Sequence, residues 1–151
     1  MSGLRRSSIL AGASAACLLA ATAIAAAETV TMKLVERATT DEVLELGDEG
    51  DSVGDLLTFA NELYDEGNAN KVGTDNGWCI RTVVGSAWEC FWTASLADGQ
   101  LTVEGPFLDA GDSVLAITGG TGAYMGARGQ MKLHARNAEG TEYDFTYEVM
   151  Q

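Results

Sequence analysis

The sequence predicts an all-β domain: about eight short antiparallel strands, closed as a sandwich or a barrel, behind an N-terminal export segment. Three observations predict it. The chain holds 18 Gly and one Pro in 151 residues, segments with a 3.6-residue apolar repeat are scarce, and short alternating runs recur between Gly, Asp and Asn signals. The last run is the clearest. Across residues 142–149, Tyr143, Phe145, Tyr147 and Val149 share one face, while Glu142, Asp144, Thr146 and Glu148 share the other, so one face is buried and one is wet.

Residues 1–27 read as a signal peptide. Arg5 and Arg6 form a positive start, residues 9–24 carry no charge, and Ala25, Ala26 and Ala27 offer a small-residue cleavage site before Glu28. The uncharged run is short and Ala-rich for a membrane anchor, so a secreted chain with no membrane attachment after signal removal is expected. Ser7 and Ser8 after the arginine pair argue for ordinary secretion over the twin-arginine route, and Cys17 is discarded with the signal. Residues 28–151 then make one domain of 124 residues, with all 22 acids retained and a formal charge moved from −13 to −15. Such a surface repels nucleic acid and anionic membranes.

The first expected strand, 29–37, is followed by the acidic stretch 40–55. Its carboxylates are the oxygen ligands that calcium prefers, but their spacing does not fit a helix-loop-helix calcium loop, and a solvated surface loop is the expectation. Strands are then expected at 56–64, 77–84, 87–96, 100–104, 113–118 and 129–135, before the last at 142–149. Strands 77–84 and 87–96 form a hairpin that carries Cys79 and Cys90 on one face. A turn at Val84-Gly85 sets the two directly opposite, and a turn at Gly85-Ser86 makes them diagonal. In a secreted chain a structural disulfide is expected, with a thiol facing a ligand cavity as the functional alternative.

Five Gly fall in VLAITGGTGAYMGARGQMKL, residues 114–133. No Lys-Ser or Lys-Thr follows them and the next residues alternate like a strand, so a Gly-rich turn between strands is read here, not a phosphate loop. His134 is the single His and stands among charged residues, which leaves no Cys and His set for zinc. No Gly-x-Ser-x-Gly elbow occurs, so a serine hydrolase lacks its nucleophile motif.

Three blocks carry a resemblance: SVGDLLTFANELYD (52–65), KVGTDNGWCI (71–80) and LTVEGPFLDAGDSVLAITGGTGAYMGARGQMKL (101–133). In this order they resemble the allene oxide cyclase-like barrels, which share their architecture with dirigent proteins. The third block is the most specific, with its GP(aromatic)L turn, TGG(S/T)G strand end and G-A-x-G step. The resemblance implies an eight-stranded antiparallel barrel around an apolar cavity, wide enough for packed side chains or one small ligand. It also implies chemistry without a cofactor and a homo-oligomer, a trimer or dimer.

Carried over by position, the resemblance puts a cavity Asn on Asn61 and a cavity Cys on Cys79, the two candidate catalytic residues. Leu57, Phe59, Trp88 and Phe107 match wall positions. Trp92 joins them as a shaping aromatic, with Lys33 or Arg81 as a nearby charge if its side chain turns inward. The first strand departs from the family: the expected Glu falls on Lys33, the expected Asn on Val35, and no Pro follows. Asn61 is read either as an oxygen-binding donor or as a structural residue satisfying backbone groups. The function implied is binding of a small hydrophobic molecule and its cyclisation or isomerisation by orientation in a dry pocket. A non-catalytic carrier or structural secreted barrel, and a dirigent-like guide of radical coupling, are the alternatives.

Overall fold

A computed structural model describes residues 28–150 and contains nine strands and no helix among them. The expected signal segment, Cys17 included, lies outside the described residues. The strands are β1 (Thr29–Arg37), β2 (Glu42–Leu44), β3 (Leu56–Asp65), β4 (Lys71–Val83), β5 (Ala87–Leu96), β6 (Gly99–Leu108), β7 (Ser113–Gly122), β8 (Arg128–Ala135) and β9 (Glu142–Met150). Eight of them were expected. β4 and β6 run longer than their alternation suggested, and β2 falls inside the acidic stretch read as loop.

Every pairing is antiparallel, and consecutive strands from β3 to β9 are neighbours. β1 closes the barrel, pairing with β9 from Thr29↔Met150 to Arg37↔Glu142 and with β3 from Leu34↔Asp65 to Arg37↔Glu62. Closure leaves the eight staves no free edge, which removes the unpaired backbone groups that an open sheet exposes. β1 covers only the far half of β3. β2 takes the near half, with Glu42↔Thr58 and Leu44↔Leu56, so the wall has a short seam at residues 59–61.

The interior is filled by alternate residues of the staves. Leu34, Leu63, Trp92, Leu101, Val103, Leu115, Ile117, Met131, Phe145, Tyr147 and Val149 are buried there. Trp92 stacks on Phe145 at 5.7 Å between ring centroids, and Phe59 meets Trp92 edge-on at 5.9 Å. Such pairs add about 0.5–1.5 kcal/mol each beyond their buried area. The Gly-rich stretch forms the end of β7, the turn at 123–127 and the start of β8. Gly129 adopts φ +135°, and a Cβ there would run into the Glu148 carbonyl, so this corner needs Gly where β8 lies against β9. It stands at the end of the barrel opposite the seam.

Cys79 pairs directly with Cys90 across β4 and β5, and the two form a disulfide with Cα atoms 4.0 Å apart. The turn at 84–86 uses Gly85 at φ +63°. A register shift between Arg81 and Val83 absorbs the odd loop length and keeps the cysteines opposed.

Candidate functional site

The site grows from the seam. Between the end of β1 and the start of β2 the chain crosses residues 38–41, and β3 there has no strand partner on that side. Asn61 fills the role of the missing ladder. Its side-chain oxygen accepts hydrogen bonds from the Thr39 and Thr40 backbone N–H groups, both at 3.0 Å, and from the Thr40 hydroxyl at 2.8 Å. Thr40 Oγ1 in turn accepts from the Ala60 N–H at 2.8 Å. The Asn61 amide nitrogen donates to Glu36 Oε1 and Asp41 Oδ1, both at 2.7 Å.

Five contacts exhaust the amide. An Asn side chain offers two acceptor lone pairs and two donors, and in Asn61 every one is already engaged. It is a positioning residue: it pins the crossover and aims two carboxyls inward. The oxygen-binding role that the resemblance implied for Asn61 has no hydrogen-bonding capacity left to serve it.

Those carboxyls line a cavity with Leu57, Phe59, Cys79, Cys90, Trp92, Phe107, Leu133, Tyr143 and Phe145. The cavity volume is about 40 Å³, room for roughly three waters. Gly77 helps to make that room. It is an inward position of β4, and a Cβ there would strike Trp92 and Phe59. Leu57, Phe59, Trp92 and Phe107 thus stand on the wall where the resemblance placed a ligand. Cys79 is on the wall too, but as half of a disulfide, so it presents no thiol and is no nucleophile.

Arg81, Trp88 and Lys33 do not line this cavity. Arg81 is buried at the barrel rim, with Nε 2.6 Å from Asp51 and Nη1 2.7 Å from Asp109, and its guanidinium lies 3.9 Å over the Trp88 ring. That trio anchors the acidic segment, because the Asp51 carboxylate also accepts from the Gly85 N–H at 2.7 Å. Asp55 completes the anchor, accepting from the N–H groups of Leu46, Gly47 and Ser52 and from the Ser52 hydroxyl. These bonds hold its carboxyl below the ordinary range. Lys33 points outward and bonds Glu66 at 2.8 Å. The correction is one of register: Lys33 and Val35 share the outward side of β1, while Met32, Leu34 and Glu36 face Tyr147, Phe145 and Tyr143 across β9. A slip of one residue exchanges the two faces of a strand.

Glu36 is therefore the group that matching by sequence missed. It is 6% exposed, and burial, reinforced by the negative charge of Asp41, pushes its carboxyl up to about 7 against the lowering effect of the Asn61 hydrogen bond. Asp41 is raised as well, chiefly by burial. Deeper on β4, Asp75 is fully buried opposite Asn61 and Ala94. Burial first, and the nearby charge of Glu36 second, push Asp75 up to about 10. Neither of its oxygens finds a donor among the described residues, and Trp92 Nε1 and Tyr147 Oη are likewise buried without a partner. Among the described residues no three His, Cys, Asp or Glu side chains are arranged to hold a metal ion.

Comparison with known proteins agrees with this geometry. The family model described as allene oxide cyclase matches residues 28–138. A pyocyanin demethylase superposes with a TM-score of 0.68 at 26% identity, covering 78% of this chain and 100% of that one. An exo-specific intermolecular Diels-Alderase gives 0.68 at 15% identity, covering 84% and 100%, and a pterocarpan synthase dirigent protein gives 0.67 at 15%, covering 82% and 94%. At 15% identity the last two speak to the barrel alone.

Proposed function

Because the chain belongs to the allene oxide cyclase family, we propose that it binds a small hydrophobic, conjugated molecule in the barrel mouth and promotes its cyclisation or isomerisation, with Glu36 moving the proton. One observation carries this reading: a buried carboxyl, poised near neutrality, on the wall of an otherwise apolar and aromatic cavity. A general acid works best when its pKa lies near the operating pH, and a well-placed one contributes about 10²–10⁴ in rate. The Glu36 O–H protonates an oxygen or an electron-rich carbon of the bound molecule. Its π electrons shift, and the Glu36 carboxylate then removes a proton from another position, so atoms and electrons are conserved and no oxidant is required.

Phe59, Trp92, Phe107, Tyr143 and Phe145 supply the flat surfaces that hold one folded shape of such a molecule. The enclosed room admits only one end of a ligand, so the reacting end enters and the remainder stays in the mouth. Similarity to a pyocyanin demethylase makes a planar aromatic ring system one class to test, and family membership makes unstable allene oxides the other. The charge-free run behind Arg5 and Arg6 supports export, and the outward apolar pair Trp78 and Phe91, 6.3 Å apart, supports assembly of two or three copies. No cofactor is required by the proton transfer described.

The test is to incubate the protein and its Glu36→Gln variant with in situ allene oxides, conjugated polyenes and pyocyanin, followed by chiral product analysis. Enrichment of one stereoisomer or tautomer by the parent protein, lost in the variant, is expected. A product mixture identical to buffer in every case refutes the reading. The narrowness of the cavity favours a second reading, a non-catalytic barrel, in which those ligands quench Trp92 fluorescence but emerge unchanged.

A further inference from the structure

Asp75 has no place in the proton transfer just described, yet it is the most deeply set ionisable group of the cluster. It lies 0% exposed on β4, inside the barrel, without a hydrogen-bond donor for either oxygen among the described residues. An orphaned buried carboxylate is costly, of the order of several kcal/mol, and among the described residues no Lys, Arg or His figures in the field that acts on it. What it does face is Glu36. Two carboxylates meeting acceptor to acceptor repel, and a proton between them converts the same approach into a short O–H···O bond.

We propose that Asp75 and Glu36 share one proton once Glu36 has given up its own, and that Asp75 is the positioning residue whose O–H steadies the Glu36 carboxylate between donating a proton to the cavity and taking one back. The proposal rests on the reading of Glu36 given above and deepens it. The other groups facing the pair come from every neighbouring element: Asp41 from the crossover after β1, Asn61 from β3, Trp92 from β5, and Tyr143 and Tyr147 from β9. Asn61 spends its N–H groups on Glu36 and Asp41, not on Asp75. Trp92 and Tyr147 add donors of their own that remain unpaired. Asp41 adds a further negative charge, which favours the protonated form of both partners.

In a turnover the Glu36 O–H proton passes to the substrate, the proton on Asp75 stays there and is donated in a hydrogen bond to the new Glu36 carboxylate, and the proton later abstracted from the substrate by Glu36 restores its O–H. The cycle is closed, since one proton leaves and one returns.

The test uses purified protein carrying ¹³C at Asp and Glu carboxyls and follows the two resonances by NMR titration. In the parent protein one carboxyl of the pair stays protonated at pH 7. In Asp75→Leu, which removes the Asp75 O–H donor, the Glu36 midpoint rises by about one unit or more. An unchanged Glu36 midpoint in that variant, or two ionised carboxyls in the parent at pH 7, overturns the proposal. If Asp75→Leu does not fold, the parent titration alone decides, and Glu36→Gln, which removes the neighbouring negative charge, lowers the Asp75 midpoint. A shared proton in a protein that rearranges no substrate sustains the pair and refutes the isomerase reading. Stereoselective turnover with an unlinked pair does the reverse.

Discussion

Raising the pH from 5 to 7 should destabilise this barrel, against the behaviour of most acidic proteins whose carboxylates are paired. The perturbation acts on Glu36 and Asp75. In the unfolded chain their ordinary values are about 4.3 and 3.9, so both are ionised at pH 5 and above. In the folded barrel both are raised, by burial first. A group raised in the folded state contributes stability that is fully present below its unfolded value and lost as pH climbs through its folded value. Each proton held by the folded chain alone tilts stability by about 1.4 kcal/mol per pH unit. One shared proton therefore costs about 3 kcal/mol between pH 5 and 7, or roughly 10 °C in melting temperature for a domain of this size.

Asp55, Asp65, Glu62 and Glu148 are lowered by hydrogen bonds or by lysine neighbours. Their contribution has the opposite sign, is complete above about pH 5, and falls away only in stronger acid, which sets the optimum near that pH. His134, raised by its bond to Asp112 on the surface, loses its contribution in the same direction as the pair, so the scan is run in a His134→Gln background. The assay is calorimetry at half-unit steps. A flat or rising melting temperature between pH 5 and 7, or the same slope in Asp75→Asn, refutes the reasoning.

Three further outcomes are expected. Asn61→Ala breaks five hydrogen bonds and leaves Glu36 and Asp41 facing each other without a screen, so a loss of about 3 kcal/mol or more in urea unfolding is expected; a loss below about 1 kcal/mol would show that water replaces the amide. Replacing Cys79 and Cys90 together by Ala opens a cross-link of separation 11 and should cost about 3 kcal/mol, while the intact protein shows a two-proton mass deficit without reduction; a fully alkylatable parent contradicts the bond. Gly77→Ala puts a methyl group against the Phe91 carbonyl and the Phe59 ring, an overpacking cost of about 1–3 kcal/mol together with weaker ligand quenching of Trp92, and a variant of parental stability would mean that the wall yields.

The strands were legible where alternation was clean, as in β5 and β9, whose every second residue packs inward. β2 was not, because three exposed residues in an acidic run carry no periodic signal. The beginning of β4 was hidden for another reason: Lys71 to Asn76 contains Gly, Asp and Asn, which read as turn, yet Asp75 points into the core. Glu36 is the instructive miss. In TMKLVER the apolar residues Leu34 and Val35 are adjacent and both buried, so alternation cannot choose the inward set, and only pairing with β9 does. The resemblance led to Asn61 and Cys79 correctly as positions on the barrel interior; the hairpin spacing pointed to the Cys79–Cys90 disulfide that the structure holds, whereas the fully bonded state of the Asn61 amide depends on neighbours 20 residues or more away.

The seam strand β1 has one more consequence. Thr29 sits opposite Met150, one strand spacing apart, about 5 Å, so the order of the eight staves is a ring with an arbitrary starting point. A linker of a few residues between those two positions, with new ends at the exposed turn 97–98 between β5 and β6, yields a circular permutant with every ladder intact. In the natural order β1 must wait for β9, more than a hundred residues later, before its long ladder forms, and Glu36 meets Tyr143 only then. In the permutant that pair becomes a local hairpin, and the carboxyl cluster assembles early.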